Sequence, residues 1–367
     1  MKMTTDYNSI LKAIDAIDPV EYGRSRNFID GAVTRLSPYI SRGVISTRQI
    51  MMSVIQRGYR LHEVESFVKE LCWRDYFQRV AQSKDINAAI RDEQLSVAHH
   101  QIPSAIVNAS TGIKAIDNAI KALYETGYIH NHCRMYTAFL TCNLAQSHLR
   151  LPAQWMYYHL LDGDWASNAC SWQWVAGTNS SKKYYANQEN INKYTRTDQH
   201  GTFLDQPYET LMQSDIPTTL EGTEDLNLST SLPPSQDNLP KNNLPVFIYN
   251  YYNLDPQWHR DETGNRILLL EPDVFAQYPV SEKCISFMIE LAANIPDVRI
   301  FTGSFNELKQ RFPDSNFYSK EHPFNSNYTG IAESRDWMTP EVTGYFPSFF
   351  SFWKKAEKEL LPLFSSN

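Results

Sequence analysis

The sequence predicts an α + α/β protein, in which a helical N-terminal domain is followed by a small parallel α/β domain. Apolar residues recur every three or four positions through residues 1–204, where short β-branched runs are absent, as expected for helices with one buried face. Residues 205–244 are rich in Pro, Ser, Thr, Asn and Asp, which is typical of a linker or an extended strap. Residues 245–367 alternate short apolar runs with amphipathic segments, the pattern of a parallel sheet with crossover helices.

The N-terminal domain is expected to contain about ten helices, judged from this periodicity. The clearest one covers 110–126, where Ile113, Ile116 and Ile120 share one face and Gly127 follows as a C-cap. Other helices are expected over 62–82, 131–148 and 153–162.

The C-terminal domain is expected to hold a small parallel sheet. Its strands are predicted over 246–251, 267–270 and 298–301. Helices are predicted over 281–295, with Ser281 as the N-cap, and over 307–312. The aromatic segment 349–355 is expected to form a closing amphipathic helix rather than a membrane anchor.

Composition places the chain among folded proteins without a membrane span. It has 367 residues, of which 42% are hydrophobic, 13% aromatic and 20% charged, so it is long enough for two domains and too apolar to be disordered. No run of about 18 apolar residues occurs, which predicts the absence of a transmembrane helix. The first residues lack the apolar core of a signal peptide, so we expect a protein that is not secreted.

The cysteines favour a reducing compartment. Cys72, Cys133, Cys142, Cys170 and Cys284 are odd in number, widely spread and without a CxxC pair. This pattern argues against a disulfide framework and against a cysteine-ligated zinc or iron–sulfur site. We therefore expect a cytoplasmic protein without a membrane partner.

Net charge divides unequally along the chain. The whole chain carries −7, but residues 1–204 contain 22 Lys and Arg against 18 Asp and Glu, a net charge of +4, and residues 205–367 carry −11. The acidic total therefore does not exclude nucleic acid as a partner of the N-terminal domain. Because a charge of +4 is modest, weak non-specific binding to DNA is expected.

Two segments of the helical domain combine charge with hydroxyl or aromatic side chains. Residues 34–37, Thr-Arg-Leu-Ser, precede a predicted helix, and hydroxyls with backbone N–H groups at that place suit a phosphate. The alternative is an ordinary N-cap. Glu70, Trp73 and Arg74 share one helical face, which suits a cleft for a polar aromatic ligand. The alternative there is a surface Glu–Arg pair over a half-buried tryptophan.

Two further segments follow. Asn131 and Arg134 share a helical face, while His130 and His132 lie two residues apart on different sides of it, so no metal site is expected. Residues 162–174 hold two carboxylates, two side-chain amides and three indoles. A glycosidase pair is not expected because the two aspartates are only two residues apart in a helical context. A purely structural tryptophan cluster stays an alternative.

Taken in order, these four segments resemble the FAD-binding domain of the cryptochrome/photolyase family over residues 20–200. In particular, Asp-Gly-Asp followed by Asn and Trp-Gln-Trp within 162–174 is similar to the family's flavin and lesion pocket. The resemblance implies a photolyase-type helical fold, FAD as the cofactor and UV-damaged DNA as the partner. Photolyases normally carry an α/β domain before the helical domain, so we expect a permuted or re-attached small version of it here. Its match to an antenna-binding pattern is too faint to name an antenna chromophore.

The resemblance assigns one set of residues to FAD. They are Tyr22, Thr34, Arg35, Leu36, Ser37, Arg74, Arg134, Asp162, Asp164 and Asn168. Within this set, Arg134 and Asp162 match the ion pair beside the isoalloxazine ring, and Asn168 matches the position that faces flavin N5. Plant and insect cryptochromes often carry Asp or Cys there, so Asn168 favours repair over signalling.

The resemblance assigns a second set to a flipped-out cyclobutane pyrimidine dimer. It comprises Glu70, Trp73, Asn131, Met135 and Trp174. The indoles can stack on the dimer, Asn131 can hydrogen-bond its base edges, and Glu70 can stabilise the dimer radical anion. The residues expected to take part in catalysis are Glu70, Asn131, Asn168 and Trp172.

One departure from the family concerns flavin reduction, which usually runs through a chain of three tryptophans. Trp172 matches the one nearest FAD, but Leu149 and Ile106 stand at the next two positions, so the usual path is interrupted. The candidate substitutes are Trp155, Tyr157 and Tyr158. Repair with pre-reduced FAD would not need this path.

The sequence therefore predicts FAD-dependent, light-driven repair of cyclobutane pyrimidine dimers by electron transfer, as in a deoxyribodipyrimidine photolyase, performed by a monomer. Single-stranded DNA is an open alternative to duplex, since some DASH-type members prefer it. A blue-light sensor of cryptochrome type with the same flavin pocket is the first alternative function. A helical scaffold whose aromatic pocket binds another nucleotide is the second.

Overall fold

The protein is described by a computed structural model for residues 3–180, 182–240 and 243–365. The described residues divide into two compact units. The first, which we call the helical unit, comprises Val20–Val33 and Lys84–Leu228; the second, the sheet unit, comprises the described residues of Lys2–Pro19, Thr34–Ser83 and Ser229–Asn367. This division differs from the predicted domains, because residues 34–83 belong to the unit that holds the sheet.

The helices are numbered in chain order. They are α1 (Tyr7–Asp15), α2 (Pro19–Ser25), α3 (Ser37–Ser41), α4 (Thr47–Gln56), α5 (Leu61–Ser83), α6 (Ser104–Val107), α7 (Lys114–Thr126), α8 (Asn131–Phe139), α9 (Arg150–His159), α10 (Trp165–Ala176), α11 (Gln188–Thr195), α12 (Tyr208–Leu211), α13 (Pro272–Gln277), α14 (Glu282–Ala292), α15 (Phe305–Arg311) and α16 (Phe349–Ser365). A π-helical turn, Leu140–Leu144, continues α8, and a 3₁₀ turn covers Thr218–Leu220.

The strands are numbered in the same way. They are β1 (Ile102–Pro103), β2 (Thr223–Glu224), β3 (Val246–Tyr249), β4 (Asn265–Leu270), β5 (Arg299–Thr302), β6 (Phe317–Lys320) and β7 (Ile331–Glu333). β1 and β2 form a small antiparallel pair, and the other five strands form one parallel sheet.

Most predicted helices of the first 204 residues are confirmed. α5 covers the segment expected over 62–82, and α7 begins at Lys114, four residues later than expected for 110–126. Gly127 ends α7 in the left-handed region, with φ of +71°. The prediction that this part is all-helical is wrong, because β1 pairs with β2 from the expected linker. Both strands are only two residues long, which is too short for a periodicity to indicate them.

The helical unit is built around α10. This helix contacts α8 and α9 and is buried along most of its length. The Asp164 side chain caps its first turn by accepting a hydrogen bond from the Ala166 N–H at 3.0 Å, as an N-cap aspartate does. Gly177 ends it with φ of +82°, a conformation that costs glycine little.

The parallel sheet of the sheet unit has the strand order β5-β4-β3-β6-β7. The three predicted strands are confirmed as β3, β4 and β5, and β4 is buried at every position, as parallel strands usually are. β6 and β7 were not predicted. β7 is three residues long and mostly exposed, so it has no apolar run that could indicate a strand.

The segment expected as a linker covers one edge of this sheet. The Gln236 N–H donates to the Ile300 carbonyl at 3.0 Å, and the Gln236 side chain accepts from the Ile300 N–H at 3.2 Å. Ser235 Oγ accepts from the Thr302 N–H at 2.9 Å. These contacts satisfy backbone groups that an open edge strand would present to other chains.

The predicted C-terminal helix is confirmed and extends to Ser365 as α16. Phe352, Trp353, Ala356 and Leu360 are buried, and α16 packs against α5. Within the described ranges, no helix is both long enough and apolar enough to cross a lipid bilayer.

Candidate functional site

The helical unit holds a partly buried ion pair between Arg134 and Asp162. Arg134 Nη2 lies 2.8 Å from Asp162 Oδ2, and the two side chains are 22% and 3% exposed. Arg134 Nε also donates to the Ile129 carbonyl at 2.9 Å, which fixes the guanidinium plane. A carboxylate that is buried this deeply is stable as an anion only when it is paired. The fold of the unit therefore holds Arg134 and Asp162 together.

Two more polar groups lie just after this pair in the chain. Asp164 is 4% exposed and also accepts from Ser167 Oγ at 3.1 Å. Asn168, one turn further along α10, is 9% exposed and donates its amide N–H to the Ala153 carbonyl of α9 at 2.8 Å. The amide plane of Asn168 is therefore held by a backbone group.

The three residues of the Trp-Gln-Trp motif have different environments. Trp172 is buried, whereas Trp174 is 38% exposed and lies 5.7 Å from the Tyr184 ring, between centroids. Gln173 is buried and joins α10 to the segment 86–90. Its position within the motif therefore has a structural explanation.

Asn131 and Met135 contact each other on α8. Asn131 is exposed, and its Nδ2 lies 3.8 Å from Met135 Sδ. His130 caps this helix, since its Nδ1 accepts from the His132 N–H at 3.2 Å. Within the described part of the chain, no three His, Cys, Asp or Glu side chains are grouped as metal ligands.

His132 gives the helical unit a pH-dependent stability. Burial, together with the nearby His130 and Arg26, lowers the pKa of His132 to about 4. The unfolded chain takes up this proton near pH 6.5, so stability should fall as pH decreases from about 6.5 to 4, by about 2 kcal/mol after allowing for partial exposure. H132F keeps a ring against Tyr194 but cannot titrate. Chemical denaturation at several pH values should therefore show the wild type losing stability relative to H132F, and a constant difference would contradict this origin.

The residues assigned to the FAD diphosphate lie partly in the sheet unit. Thr34, Leu36 and Ser37 precede or begin α3, and the Leu36 N–H donates to Thr34 Oγ1 at 3.4 Å. Arg35 is exposed and has φ of +54°, a conformation that is uncommon for a residue with a Cβ. Tyr22 is half-buried in α2 of the helical unit.

Glu70, Trp73 and Arg74 lie on α5 and are all half-buried. Arg74 Nη1 donates to Ser41 Oγ, at the end of α3, at 2.7 Å. Arg74 on α5 therefore contacts α3, which directly follows residues 34–36. This contact is expected if Arg74 and that segment bind the same ligand. Ser41 was not among the predicted site residues, although its place four residues after Ser37 on the same short helix was available as a signal.

Trp73 is partly covered by the C-terminal helix. The Phe349 ring stacks on it at 3.9 Å between centroids with an interplanar angle of 9°. Phe349 is 3% exposed, so this face of the indole belongs to the packed interior of the sheet unit. For that face of Trp73, the alternative prediction of a half-buried tryptophan with a structural role is therefore the better description.

The contribution of this stack can be measured. We expect F349L to lower the free energy of unfolding by about 1 kcal/mol, because aromatic stacking adds to simple area burial. F350L is the matched control, since Phe350 is 66% exposed and its replacement should change stability little. A double-mutant cycle with W73L should assign most of the loss to the Trp73–Phe349 pair; independent effects would contradict it.

The aromatic residues proposed to replace the interrupted tryptophan path fall into two groups in the helical unit. Trp155 is buried and donates its Nε1–H to Tyr124 Oη at 3.1 Å. His159 contacts Tyr124 and Tyr158 edge to face, at 4.7 and 4.9 Å. Tyr157 instead lies 5.5 Å from Trp165. Trp155 and Tyr158 thus share one aromatic cluster, and Tyr157 belongs to another.

Comparison with known proteins shows what one segment of the chain is similar to. Residues 67–217 match the family model described as the FAD binding domain of DNA photolyase. The chain is 32% identical over 192 residues to a deoxyribodipyrimidine photo-lyase of Alkalihalophilus pseudofirmus, covering 50% of this chain and 40% of that protein. It is 31% identical over 171 residues to the mitochondrial deoxyribodipyrimidine photo-lyase of Saccharomyces cerevisiae, covering 42% and 30%.

The chain spans less than half the length of these curated relatives. Among solved structures, it is similar to a cryptochrome of Synechocystis, at 23% identity with a TM-score of 0.45. That similarity covers 51% of this chain and 43% of the other.

Proposed function

We propose that the protein is a FAD-dependent photolyase that repairs cyclobutane pyrimidine dimers in UV-damaged DNA, because residues 67–217 are similar to the FAD binding domain of DNA photolyase. The observation that carries the proposal is a set of polar groups, here called the polar wall, which comprises the half-buried Arg134 and the buried Asp162, Asp164 and Asn168. Asp164 also caps α10, but that cap does not account for the Arg134–Asp162 pair, whose burial costs free energy of desolvation.

The donor and acceptor groups of this wall fit FAD. The isoalloxazine ring has a polar edge that presents N–H and C=O groups, and Asp162 and Arg134 supply a paired acceptor and donor of opposite charge. When bound and reduced, FAD would supply the light-excited electron that splits the cyclobutane ring and would take it back. The chain itself would position, desolvate and polarise the reacting groups.

Asn168 is proposed as the residue that faces flavin N5. One of its two amide N–H groups donates to the Ala153 carbonyl, and its carbonyl oxygen can accept a hydrogen bond from an N–H. An amide stays neutral across the physiological range, whereas an aspartate would add a charge beside the ring. We therefore propose that Asn168 selects the reduced flavin that repair requires.

Tyr22, the segment Thr34–Ser37 and Arg74 are proposed to hold the FAD diphosphate. Support comes from the two hydroxyl groups, from the cationic Arg74, and from its hydrogen bond to Ser41. Guanidinium groups and hydroxyls are common partners of phosphate oxygens.

Trp174 is proposed as the main stacking surface for the dimer, because it is 38% exposed while Trp172 is buried. Asn131 and Met135, which contact each other on α8, would meet the base edges. Glu70 and Trp73 complete the proposed set, with Trp73 offering only the face that Phe349 leaves uncovered. The Phe349 ring reduces the surface that Trp73 can offer to a lesion. This observation favours the cryptochrome-type sensor as the alternative function.

A repair assay tests the proposal. The reduced, FAD-loaded chain is incubated under blue light with single- and double-stranded oligonucleotides that contain a thymine dimer. We expect light-dependent loss of the dimer, and W174A should weaken binding of the lesion roughly 10-fold or more, since base stacking on an indole contributes about 1–3 kcal/mol. N168A should reduce repair more than it reduces retention of FAD.

L95A is the matched control, because Leu95 is 71% exposed in the same unit and has no proposed role. Bound FAD without any light-dependent repair would favour the sensor. Purified protein that releases no flavin on heating would contradict both flavin-based functions.

A further inference from the structure

The C-terminal end of α10 is covered by the segment that follows it in the helical unit. This segment comprises the described residues of 178–184, and we call it the return loop. The Thr178 N–H donates to the Gln173 carbonyl at 2.9 Å, and the Tyr184 N–H donates to the Val175 carbonyl at 3.0 Å. Carbonyls in the last turn of a helix have no partner within the helix. The return loop supplies these partners by folding back over the end of α10.

Asn143 joins the return loop to α10 through its side chain. It lies in the π-helical turn Leu140–Leu144 that continues α8, and it is 8% exposed. Its Nδ2 donates to the Val175 carbonyl at 2.9 Å and to the Tyr184 carbonyl at 2.7 Å, which uses both N–H groups of the amide. One side chain therefore connects three segments that are separate in the chain.

The other half of the Asn143 amide shows which property this position requires. Asn143 Oδ1 is buried and has no hydrogen-bond partner among the described residues. A buried acceptor without a partner costs free energy, and an apolar side chain of similar volume would avoid that cost. The two donated hydrogen bonds, rather than the volume of the side chain, therefore account for an amide at this position.

The return loop places the Tyr184 ring beside Trp174. The two ring centroids are 5.7 Å apart with an interplanar angle of 38°, and Tyr184 also contacts Phe139 edge to face at 6.4 Å. Ser180 Oγ of the same loop donates to the Trp174 carbonyl at 2.9 Å. Trp174 is 38% exposed, so its indole is accessible while its position is restricted by Tyr184. A side chain that is held in place before binding loses less entropy when the ligand arrives.

We propose that Asn143 is a positioning residue for recognition of the DNA lesion. By holding the return loop it keeps Tyr184 against Trp174, and it thereby orients the indole to stack on a flipped-out base. This inference rests on the proposed function, in which Trp174 is the main stacking surface for the dimer. Because Asn143 acts through Trp174, its effect falls on binding of the lesion and not on the electron-transfer step.

Dark binding of a single-stranded oligonucleotide with one thymine dimer, followed by fluorescence anisotropy, tests the proposal. We expect N143L, which keeps the volume but lacks the donors, to weaken this binding about 5-fold, less than W174A because the indole is still present. Binding of the undamaged oligonucleotide, FAD content and the rate of repair at saturating dimer should stay at wild-type values. In the W174A background, N143L should add little further loss, because both variants act on the same stacking surface.

Digestion with trypsin gives a readout that needs neither DNA nor light. Lys182 and Lys183 lie in the return loop, and cleavage of a native protein follows local opening. N143L should therefore be cut in this loop several-fold faster than the wild type. N143A is the second variant, in case leucine does not fit. N108L is the matched control, because the exposed Asn108 of the same unit also donates to a backbone carbonyl, and it should match the wild type in each assay.

The outcomes separate this inference from the proposed function. A wild type that binds the dimer no better than the undamaged oligonucleotide overturns the proposed function, and this inference with it. A wild type that prefers the dimer, together with folded Asn143 variants that keep the same preference, overturns this inference alone. It is equally overturned if the losses in N143L and W174A are independent, or if the return loop of N143L is cut no faster than that of the wild type.

Discussion

Replacing Asp162 by Asn should release the flavin from the protein and lower the free energy of unfolding by about 2–3 kcal/mol. The new amide could still accept one hydrogen bond, but the half-buried Arg134 would lose its counter-charge. Breaking a fully buried pair costs about 3–5 kcal/mol, and the 22% exposure of the Arg134 side chain moves the expectation below that range. The flavin is lost because the same pair is proposed to meet its polar edge.

The measurements are the flavin-to-protein absorbance ratio after gel filtration and the midpoint of urea unfolding. D30N is the matched control, since Asp30 forms an ion pair with Arg196 at 3.2 Å in the same unit, with both side chains more than half exposed. An exposed pair of this kind contributes about 0–1 kcal/mol. If D162N and D30N shift the midpoint equally, the buried pair does not have the role described here.

Replacing Gln173 by Leu should have the largest effect on stability, about 4 kcal/mol. Its Oε1 accepts from the Ile90 N–H at 2.9 Å and from Thr178 Oγ1 at 3.1 Å, and its Nε2 donates to the carbonyls of Ile86 and Ala88 at 3.0 and 2.9 Å. Leucine has a similar volume but removes the partner of the Ile90 N–H and of the Ile86 and Ala88 carbonyls, at about 1–3 kcal/mol for each that stays buried. Thr178 Oγ1 keeps its hydrogen bond to the backbone carbonyl of residue 173.

Thermal and urea unfolding of Q173L, compared with the wild type, test this expectation. Q213L is the control, because Gln213 is exposed in the same unit. Q173E should be intermediate, since it keeps the acceptor but loses both donors. A Q173L protein as stable as Q213L would show that segment 86–90 does not depend on this side chain.

The family resemblance rests on four short segments within residues 34–174, and the match over residues 67–217 supports it for the three segments that lie inside that range. The resemblance could be detected because each segment places polar and aromatic residues at helical spacing, and such a local pattern can be read directly from the sequence. Pairing over longer distances was visible only through the resemblance: Arg134 and Asp162 are 28 positions apart, and no local pattern joins them.

Other features had no signal in the sequence. The Ala153 carbonyl holds Asn168, and any residue type could have supplied that carbonyl. Phe349 covers Trp73 from 276 positions away, although each looked like an ordinary aromatic residue on an amphipathic helix. Asn143 donates to the Tyr184 carbonyl from 41 positions away, and this contact became apparent only when the surrounding loops were in place.

The sequence by itself determined most of the helices before residue 205, three strands of the parallel sheet, and the similarity of residues 67–217 to the FAD binding domain of DNA photolyase. These follow from local periodicity and from motifs in which neighbours along the chain act together. The tertiary structure decided that residues 34–83 belong with the parallel sheet rather than with the other helices. It also decided which faces of the aromatic side chains contact other rings, and which polar side-chain groups already have a hydrogen-bond partner. The physical reason is that burial and pairing depend on segments far apart in the chain, whose meeting no local pattern encodes.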